Sequence, residues 1–473
     1  HNRLKLFGFR SNKFILNLLK KVSISVVCSR WDEPFGRASL EASSRGSAVI
    51  ISNRGGLKET AKSGVVLKKL DKNEIVTEIS KLIDNKKRLI NLQKNNFKNF
   101  YLTHQYVSNL IDKVRSEHVY NFNFIKQNKI LKILHVTNFN SRFDGRLHYN
   151  TSKRLNNGFI RLGHNVLSIS DRDILNSNKK FSDISGAKYL QKTITNNIDN
   201  FKPDLIVLGH VDSITIETMN YIKRLNIRVA QWFLDPLGTN TPDNKKNKLR
   251  LINKSQFIDA SFLTTDPHSL NFNINNSYFI PNPSDPSFEI LNNFNYDCSK
   301  DLFFAMSHGV HRGSLKKGKV DNREKILTKL VKANPNIIFD VYGMNKIEPI
   351  WGDEFIQSLS NCSMGLNLSR GSPVKYYSSD RIAQLMGNGL LTFVNRKTKY
   401  DDFFTDKELI FYDNIDDLSY KLNKYKKDVK QRKSIAKNGK IKYMKYLNSD
   451  NVCQFIIDKT LEKKSSKKFL WQN

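Results

Sequence analysis

The chain has 473 residues, and its 78 Lys and Arg outnumber its 44 Asp and Glu, which gives a formal charge of +34. A hydrophobic content of 39% with 30 Phe excludes a disordered chain, and the length is enough for roughly two to four domains. The sequence contains no apolar run of the about 18 residues that a membrane span needs.

The excess of positive charge has two interpretations that the sequence leaves open. One is attraction to anionic lipid, which would place the protein peripherally on a membrane, and the other is a Lys-rich composition without function. Nucleic acid is not an expected partner, because no basic stripe with interleaved aromatic residues occurs. The four scattered cysteines show no CxxC spacing, which argues against a zinc site or disulfide framework and favours a cytoplasmic location. The chain starts at His1 with no signal segment after it, which suggests an internal start in a longer protein.

Residues 1–115 alternate strands and helices, a pattern typical of a parallel sheet. We predict strands at 23–28 and 49–52, and helices at 37–45 and from residue 72 onward. Asp71 and Glu74 have the spacing of a capping box at the start of the last helix. About half of a doubly wound domain is therefore expected here.

Residues 116–130 show no clear period and are predicted to be a linker. Two Rossmann-like domains are expected after it, at 131–289 and 290–473. Strands are predicted at 131–137, 165–170, 204–209 and 228–233 in the first domain, and at 301–307, 337–343 and 390–394 in the second. Helices at 417–426 and 434–446 are expected to lead to a Lys-rich tail.

One pattern occurs twice, with roughly 340 residues between the copies. Glu41 stands five positions before Gly46 in the first copy, and Gln384 stands five positions before Gly389 in the second. An apolar run and an Asn-Arg pair follow the glycine in both copies. Since the period is far too long for a solenoid, the repeat indicates two related α/β domains, of which the first is incomplete.

The first copy contains Glu33 and Glu41 with the spacing E-x7-E, in a loop after a strand and on the next helix. With the run 55–60 (GGLKET), the segment 29–41 resembles the C-terminal half of the donor domain of family 4 (group 1) retaining glycosyltransferases, which have the two-Rossmann GT-B architecture. The resemblance assigns Glu33 to the donor sugar and Glu41 to the nucleotide ribose, as hydrogen-bond acceptors. The same motif includes Gly36, Gly55, Gly56 and Glu59, and the amides of Gly55 and Gly56 are candidates to cradle a phosphate or sugar hydroxyl. Family members need more than this half domain, so residues 1–115 are not expected to catalyse transfer alone.

Residues 131–473 resemble the CgeB-like (spore maturation type) glycosyltransferases, which are also GT-B proteins. The resemblance is carried by Asn157-Gly158-Phe159, Arg161, Gly163-His164, Gly343, 366–369 (LNLS), 378–381 (SSDR) and 415–439. It implies an acceptor domain at 131–289, a nucleotide-sugar donor domain at 290–473, and a cleft between them. The group usually has Glu where this chain has Gln384, and Tyr376 stands eight positions earlier, where the first copy has an acid. The expected fold class is α/β with GT-B architecture, preceded by a truncated Rossmann half-domain.

Several residues of the second segment are candidates for the site. Arg381 is predicted to pair with the donor diphosphate, because guanidinium matches phosphate oxygens and stays charged. The other predicted donor-binding residues are Gln384, Ser379, Arg312, Arg323 and Gly343. Asp144 or His148 would position an acceptor hydroxyl or act as base, although an Asp in a polar loop is also an ordinary turn residue. No metal or other cofactor is expected, since GT-B enzymes generally use protein cations and no DxD-type acidic pair stands in a suitable loop.

These observations predict a glycosyltransferase that moves a sugar from a nucleotide-sugar donor to a glycan, lipid-linked or protein acceptor. Two alternatives stay open. One is a non-catalytic sugar-nucleotide or glycan-binding module, which Gln384 and Tyr376 would suit. The other is a basic protein that binds a membrane surface or nucleic acid through charge alone.

Overall fold

The computed structural model describes residues 3–127, 130–238, 243–307, 322–463 and 467–472. It divides into two compact units, His1–Asn121 and Phe122–Asn473. Within the described ranges, no helix combines the length and the hydropathy that crossing a bilayer requires.

The first unit contains a three-stranded parallel sheet in the order β1-β2-β3. Its strands are β1 (Ile24–Val27), β2 (Ala48–Ile51) and β3 (Val65–Val66), and its helices are α1 (Asn12–Leu19), α2 (Arg37–Ser44), α3 (Leu57–Thr60), α4 (Lys72–Asp84), α5 (Lys86–Lys98) and α6 (His104–Gln127), which continues into the second unit. All four residues of β2 are buried, because Val49 and Ile51 pack with α2 and α3 on one face while Ala48 and Ile50 pack on the other. The half-domain expected from the strand–helix alternation is present, and the predicted linker overlaps the second half of α6.

The predicted capping box at α4 is wrong in one of its two bonds. Asp71 Oδ1 accepts from the backbone N–H groups of Asn73 and Glu74 at 2.8 and 3.0 Å, as an N-cap should. The Glu74 carboxylate accepts instead from the backbone of Lys68 and Lys69 at 2.6 and 2.5 Å. Glu74 therefore fixes the turn before the helix through these two backbone donors.

The second unit contains two parallel sheets, as the predicted pair of Rossmann-like domains requires. The first has six strands in the order β5-β4-β6-β7-β8-β9, namely β4 (Lys132–Thr137), β5 (Asn165–Ser170), β6 (Leu205–Gly209), β7 (Arg228–Phe233), β8 (Ala260–Leu263) and β9 (Ser277–Phe279). The second has five strands in the order β11-β10-β12-β13-β14, namely β10 (Lys300–Ala305), β11 (Phe339–Tyr342), β12 (Cys362–Asn367), β13 (Leu391–Asn395) and β14 (Ile410–Tyr412). In both sheets the strand order reverses beside the first strand, which is the topological switch point of doubly wound folds.

Helices cover both faces of these sheets and make their central strands fully buried. They are α7 (Thr151–Arg161), α8 (Asp171–Ser177), α9 (Ala187–Phe201), α10 (Ile216–Arg224), α11 (Asn244–Ile252), α12 (Asn322–Ala333), α13 (Gly352–Ser360), α14 (Arg381–Gly387), α15 (Ile415–Lys427), α16 (Val429–Tyr446) and α17 (Ser449–Thr460). His164, just after α7, accepts a hydrogen bond from the Leu131 N–H at 3.2 Å through Nδ1, so its role is structural.

Helix α17, which was not predicted from the sequence, is largely buried and lies between the predicted helix 434–446 and the Lys-rich segment 463–468. It packs against α7 of the first sheet, although it follows the second sheet in the chain. A Cβ on Gly158 would lie 2.6 Å from the carbonyl oxygen of Ser449 and 2.7 Å from Cys453 Sγ. The two helices therefore need a glycine at this contact, and the end of the chain joins the two halves of the unit.

Candidate active site

A cavity of about 560 Å³ opens in the second unit at the carboxyl edges of its two sheets. Asn138 follows β4 and Asp235 follows β7, whereas Ala305 ends β10 and Arg381 begins α14, and all four line the cavity. Parallel α/β sheets bind ligands at this edge, because the loops after several strands meet there. The cavity is therefore the candidate active site of the second unit.

Arg381 lines this cavity and is 7% exposed. Its Nε and Nη2 donate to the carbonyl oxygen of Ala305 at 3.1 and 2.9 Å. Its Nη1 donates to the carbonyl oxygen of Leu368 at 3.1 Å and to Ser379 Oγ at 3.0 Å. The guanidinium also lies 4.6 Å from the centre of the Phe304 ring. Most of its donors therefore hold the ends of β10 and β12 in place beside the cavity.

Gln384 also lines the cavity, on α14, and is 7% exposed. Among the residues that the structure describes, none hydrogen-bonds to its side-chain amide. A nearly buried amide without a protein partner requires one from ligand or water, since leaving it unsatisfied costs on the order of 1–3 kcal/mol. The amide both donates and accepts, so a pair of hydroxyl groups would satisfy it.

Ser379 and Asp380 precede α14 and line the same cavity. The Ser379 N–H donates to Ser369 Oγ at 3.3 Å, which connects the segment before α14 to the loop after β12. Burial raises the pKa of Tyr149, and the negative charge of Asp380 raises it further. Tyr149 belongs to the loop after β4, so the field of Asp380 reaches the side of the cavity formed by the first sheet.

The three remaining residues that were predicted to bind the nucleotide-sugar donor differ in their position relative to the cavity. Arg323, on α12, lines the cavity and is 9% exposed. Gly343 has a φ of +76°, and a Cβ on it would lie 1.8 Å from the carbonyl oxygen of Met306, which lines the cavity. Gly343 is thus required for the close approach of two backbone segments under the cavity floor. Arg312 lies outside the described residues.

The side of the cavity formed by the first sheet is rich in arginine. Arg142 pairs with Asp173 at 2.5 Å and Arg172 pairs with Asp212 at 3.4 Å, so both charges are balanced within the protein. Arg146 is exposed and lines the cavity, and within the described ranges it makes no ion pair. It is therefore the cation most available to an anionic ligand. Among the described residues, no group of three or more His, Cys, Asp or Glu could hold a metal ion.

Asp144 and His148, the predicted acceptor-side residues, do not line the cavity. Asp144 is exposed and ends a short turn of 3-10 helix with a φ of +51°. His148 is also exposed; its Nδ1 lies 3.1 Å from the carbonyl oxygen of Gly145, and its ring packs against Tyr149 and Phe288. Both belong to the same loop as Arg146 but lie beside the cavity rather than in its wall.

That loop contacts the other side of the cavity directly. The Gly352 N–H donates to the carbonyl oxygen of Arg146 at 3.0 Å. The rings of Tyr149 and Phe355 stack with their centres 5.2 Å apart and an angle of 23° between their planes. These contacts close one end of the cavity.

In the first unit, the predicted motif residues make contacts within their own segment. Glu33 accepts from Ser29 Oγ at 2.9 Å, and Glu41 Oε1 accepts from Asn12 Nδ2 and Arg37 Nε, each at 2.8 Å.

The glycines of this motif lie where a side chain would not fit. A Cβ on Gly55 would lie 2.2 Å from the carbonyl oxygen of Glu33, and one on Gly36 would lie 2.6 Å from Leu57 Cδ2. The Gly56 N–H, which was predicted to cradle a phosphate or sugar hydroxyl, donates to the Glu33 carbonyl at 2.7 Å. Glu59 is exposed on α3.

Two family models match the chain. Residues 1–99 match the model described as "Glycosyl transferases group 1", and residues 323–458 match the one described as "Glycosyl transferase-like". Each segment is therefore similar to a glycosyltransferase family. The second matched segment contains Arg323, Gly343, Ser379, Arg381 and Gln384. Neither description names the CgeB-like group, which stays a prediction.

Several solved structures are similar in fold at low sequence identity, whereas no curated protein matches the chain. Sucrose-phosphate synthase from Thermosynechococcus elongatus is 9% identical, with a TM-score of 0.46, over 69% of this chain and 97% of that one. A glycosyltransferase from Rickettsia africae is 11% identical, with a TM-score of 0.46, over 71% and 100%. Anabaena HepE in complex with UDP-glucose is 11% identical, with a TM-score of 0.45, over 69% and 98%. These similarities are too distant to assign residues, so the candidate site of this chain rests on its own geometry.

Sequence reasoning missed Arg146 and Asp380 as residues of the cavity wall. Both stand inside segments that it singled out, 144–148 and 378–381. A useful signal would have been that each is a charged residue in the loop after a buried strand, β4 or β12.

Proposed function

We propose that the second unit transfers a sugar from a nucleotide-sugar donor bound in this cavity. One observation carries the proposal: the amide of Gln384 lacks a protein partner among the described residues, and it lies in the wall of a cavity of about 560 Å³ within a glycosyltransferase segment. A ribose diol has the donors and acceptors that this amide needs. The sugar and the base of the nucleotide are left open.

The cations around the cavity divide into two roles. Arg146 and Arg323 are proposed to bind the donor diphosphate, as charged groups in the cavity wall. Arg381 is proposed to act beside them, chiefly by holding the carbonyls of Ala305 and Leu368, with Ser379 as its partner. Positive charge here would stabilise the leaving diphosphate, which is the main electrostatic task in glycosyl transfer. Transfer would then need no metal ion.

The second copy of the repeat has Tyr376 where the first has Glu33, and the structure suggests what serves in its place. Tyr376 Oη donates to Asp402 Oδ2 at 2.6 Å, and its ring packs on Phe279 and Phe403, so it does not line the cavity. Asp380 does line it. We therefore propose Asp380 as the carboxylate that accepts hydrogen bonds from the donor sugar.

The acceptor is proposed to be a glycan, a lipid-linked sugar or a protein, delivered from the first-sheet side. Asp144 and His148 would contact it at the edge of the cavity, because their loop forms that side and both are exposed. The overall charge of +34 suits peripheral contact with an anionic membrane.

A non-catalytic nucleotide-sugar-binding module is the second candidate, and Gln384 favours it, since an amide lacks the charge of the usual Glu. Calorimetry with UDP, GDP and their glucose and mannose conjugates tests binding in both cases. Measuring the release of free nucleoside diphosphate from the conjugate that binds then distinguishes the transferase from the non-catalytic module. Binding with turnover supports the transferase, binding without turnover supports the module, and no binding of any conjugate rejects both.

A further inference from the structure

A turn in the first sheet's half presents apolar side chains to solvent. Phe181 is 106% exposed and Ile184 is 80% exposed, and Tyr189 on the first turn of α9 is 47% exposed. Folding ordinarily buries such side chains, because the removal of apolar surface from water is favourable. Three in one short segment indicate a surface that something else covers.

The turn is ordered rather than a loose loop. The N–H of Lys180 donates to the Asp183 carbonyl at 3.0 Å, and the N–H of Asp183 donates to the Lys180 carbonyl at 2.9 Å. The Asp183 carboxylate accepts from the Tyr189 N–H at 3.1 Å and from Ser185 Oγ at 3.3 Å, which ties the turn to the start of α9. Phe181 is therefore held at the tip by the backbone.

Positive charge surrounds the apolar tip. Lys179, Lys180, Lys188 and Lys192 are all exposed within this segment, and Asp183 is its one acidic residue. Backbone N–H groups of α9 lower the pKa of Asp183, so its charge is balanced inside the turn. An apolar tip between four lysines matches the chemistry of an anionic lipid surface, where rings enter the acyl boundary and lysines stay with the headgroups.

The position of the turn relates it to the cavity. α8 begins directly after β5, and its Arg172 lines the cavity. The end of α9 leads to the amino end of β6, so the first residues of α9 lie at the opposite, carboxyl edge of the sheet. The cavity lies at this same edge. A membrane held at the turn would face the side from which the acceptor enters.

We propose that the segment 179–192 is a membrane-contact turn, which inserts Phe181 and Ile184 into an anionic bilayer between its lysines. The proposal identifies a partner for the protein and, resting on the proposed function, favours a lipid-linked acceptor. The contact itself depends only on the exposed surface of the turn.

The test is sedimentation of the full chain with phosphatidylcholine vesicles that contain about a third phosphatidylglycerol, in about 0.1 M salt. Phe181→Ser with Ile184→Ser should lower the partition coefficient about tenfold or more, and Lys179→Gln with Lys180→Gln should lower it by on the order of thirtyfold. Phe181→Leu should retain binding, since it keeps an apolar tip.

The matched control changes Ile441, Lys437 and Lys445, which are exposed on α16 and resemble the turn in charge and apolarity. Ile441→Ser with both lysines changed to Gln should bind like the wild type. The proposal is overturned if the wild type does not sediment with these vesicles or if the Phe181 variant binds them unchanged. It is also overturned if the control variant loses as much vesicle binding as the variants of the turn. Unchanged binding of the Phe181 variant with loss in the lysine variant would indicate a general polyanion site.

Nucleoside diphosphate binding is measured on the same variants, because the turn does not line the cavity. Loss of vesicle binding with unchanged nucleotide binding supports the turn. Failure of the wild type to bind nucleotide while it sediments with vesicles would reject the proposed function and leave the membrane contact standing.

Discussion

Arg154 on α7 and Glu289, on the segment that leads into the second sheet, form an ion pair 2.5 Å long with side chains 1% and 2% exposed. Glu289 Oε2 also accepts from the Asp285 N–H at 2.6 Å. A buried pair is favourable only when both charges stay paired and hydrogen-bonded. This pair joins the two halves of the second unit at a point where neither charge can reach water.

Removal of one partner should therefore destabilise the second unit strongly. Arg154→Met leaves the Glu289 carboxylate buried and uncompensated, at a cost of about 3–5 kcal/mol in the free energy of unfolding. Arg154→Met combined with Glu289→Met should cost clearly less than the sum of the single changes. Denaturant unfolding followed by tryptophan fluorescence measures both. The exposed pair of Arg37 and Glu41 is the control, and Arg37→Met should change stability by less than about 1 kcal/mol.

Stability should fall in acid because of a histidine on β4. His135 is fully buried, its Nε2 accepts from Trp232 Nε1 at 3.3 Å, and burial lowers its pKa from 6.5 to about 4. As pH falls, this histidine takes up its proton in the unfolded chain before it does so in the folded chain. Its contribution to the free energy of unfolding is therefore complete above about pH 6.5 and is lost as pH falls toward 4, a loss of about 3 kcal/mol in all.

His135→Gln should therefore flatten the dependence of unfolding free energy on pH between 4 and 6.5 relative to the wild type. His148→Gln supplies the control, since it makes the same change at a histidine that is exposed rather than buried. Equal slopes for the wild type and His135→Gln would show that the buried histidine does not cause the effect.

Nucleotide binding should depend on Gln384. Gln384→Leu removes donor and acceptor from a nearly buried position and should weaken nucleoside diphosphate binding about tenfold. Gln384→Glu keeps an acceptor and adds charge, so it should bind equally or more tightly. Calorimetry measures both. Glu41→Ala serves as the matched change in the first copy of the repeat and should leave this affinity unchanged.

The arginines should separate into a binding role and a positioning role. Arg146→Ala should weaken nucleoside diphosphate binding about tenfold and leave the unfolding midpoint unchanged, because within the described ranges its side chain makes no ion pair. Arg381→Ala should weaken binding and also lower stability, because it removes the bonds to Ala305 and Leu368. Equal stability of the two variants would contradict the division.

Gly343 should be intolerant of any side chain. Gly343→Ala would bring a Cβ to within 1.8 Å of the Met306 carbonyl and would strain a backbone at φ +76°. The backbone must move, so we expect loss of stability together with weaker nucleotide binding, because Met306 lines the cavity. Gly145→Ala is the control: its φ is also positive, but open space surrounds it.

Local sequence patterns were enough to predict most of the framework. The alternation of apolar segments with helical stretches predicted β5 and β7 with the bounds that the structure has. The recurrence of Glu41 and Gly46 as Gln384 and Gly389 predicted two related α/β folds, since each pair spans one helix and its glycine end.

Tertiary structure alone decided the rest. The short strands β8 and β9 were missed because a few apolar residues carry no period, and α17 was missed because its buried face depends on α7, almost 300 residues earlier in the chain. Arg381 was predicted to pair with the donor diphosphate, but no sequence pattern shows that the Ala305 and Leu368 carbonyls take most of its donors. The sequence determined most of the segments that form sheets and the glycines that end α2 and α14, because these depend on neighbours in the chain. Which charges pair with protein and which face the cavity depends on contacts between sheets, and only the folded chain brings those together.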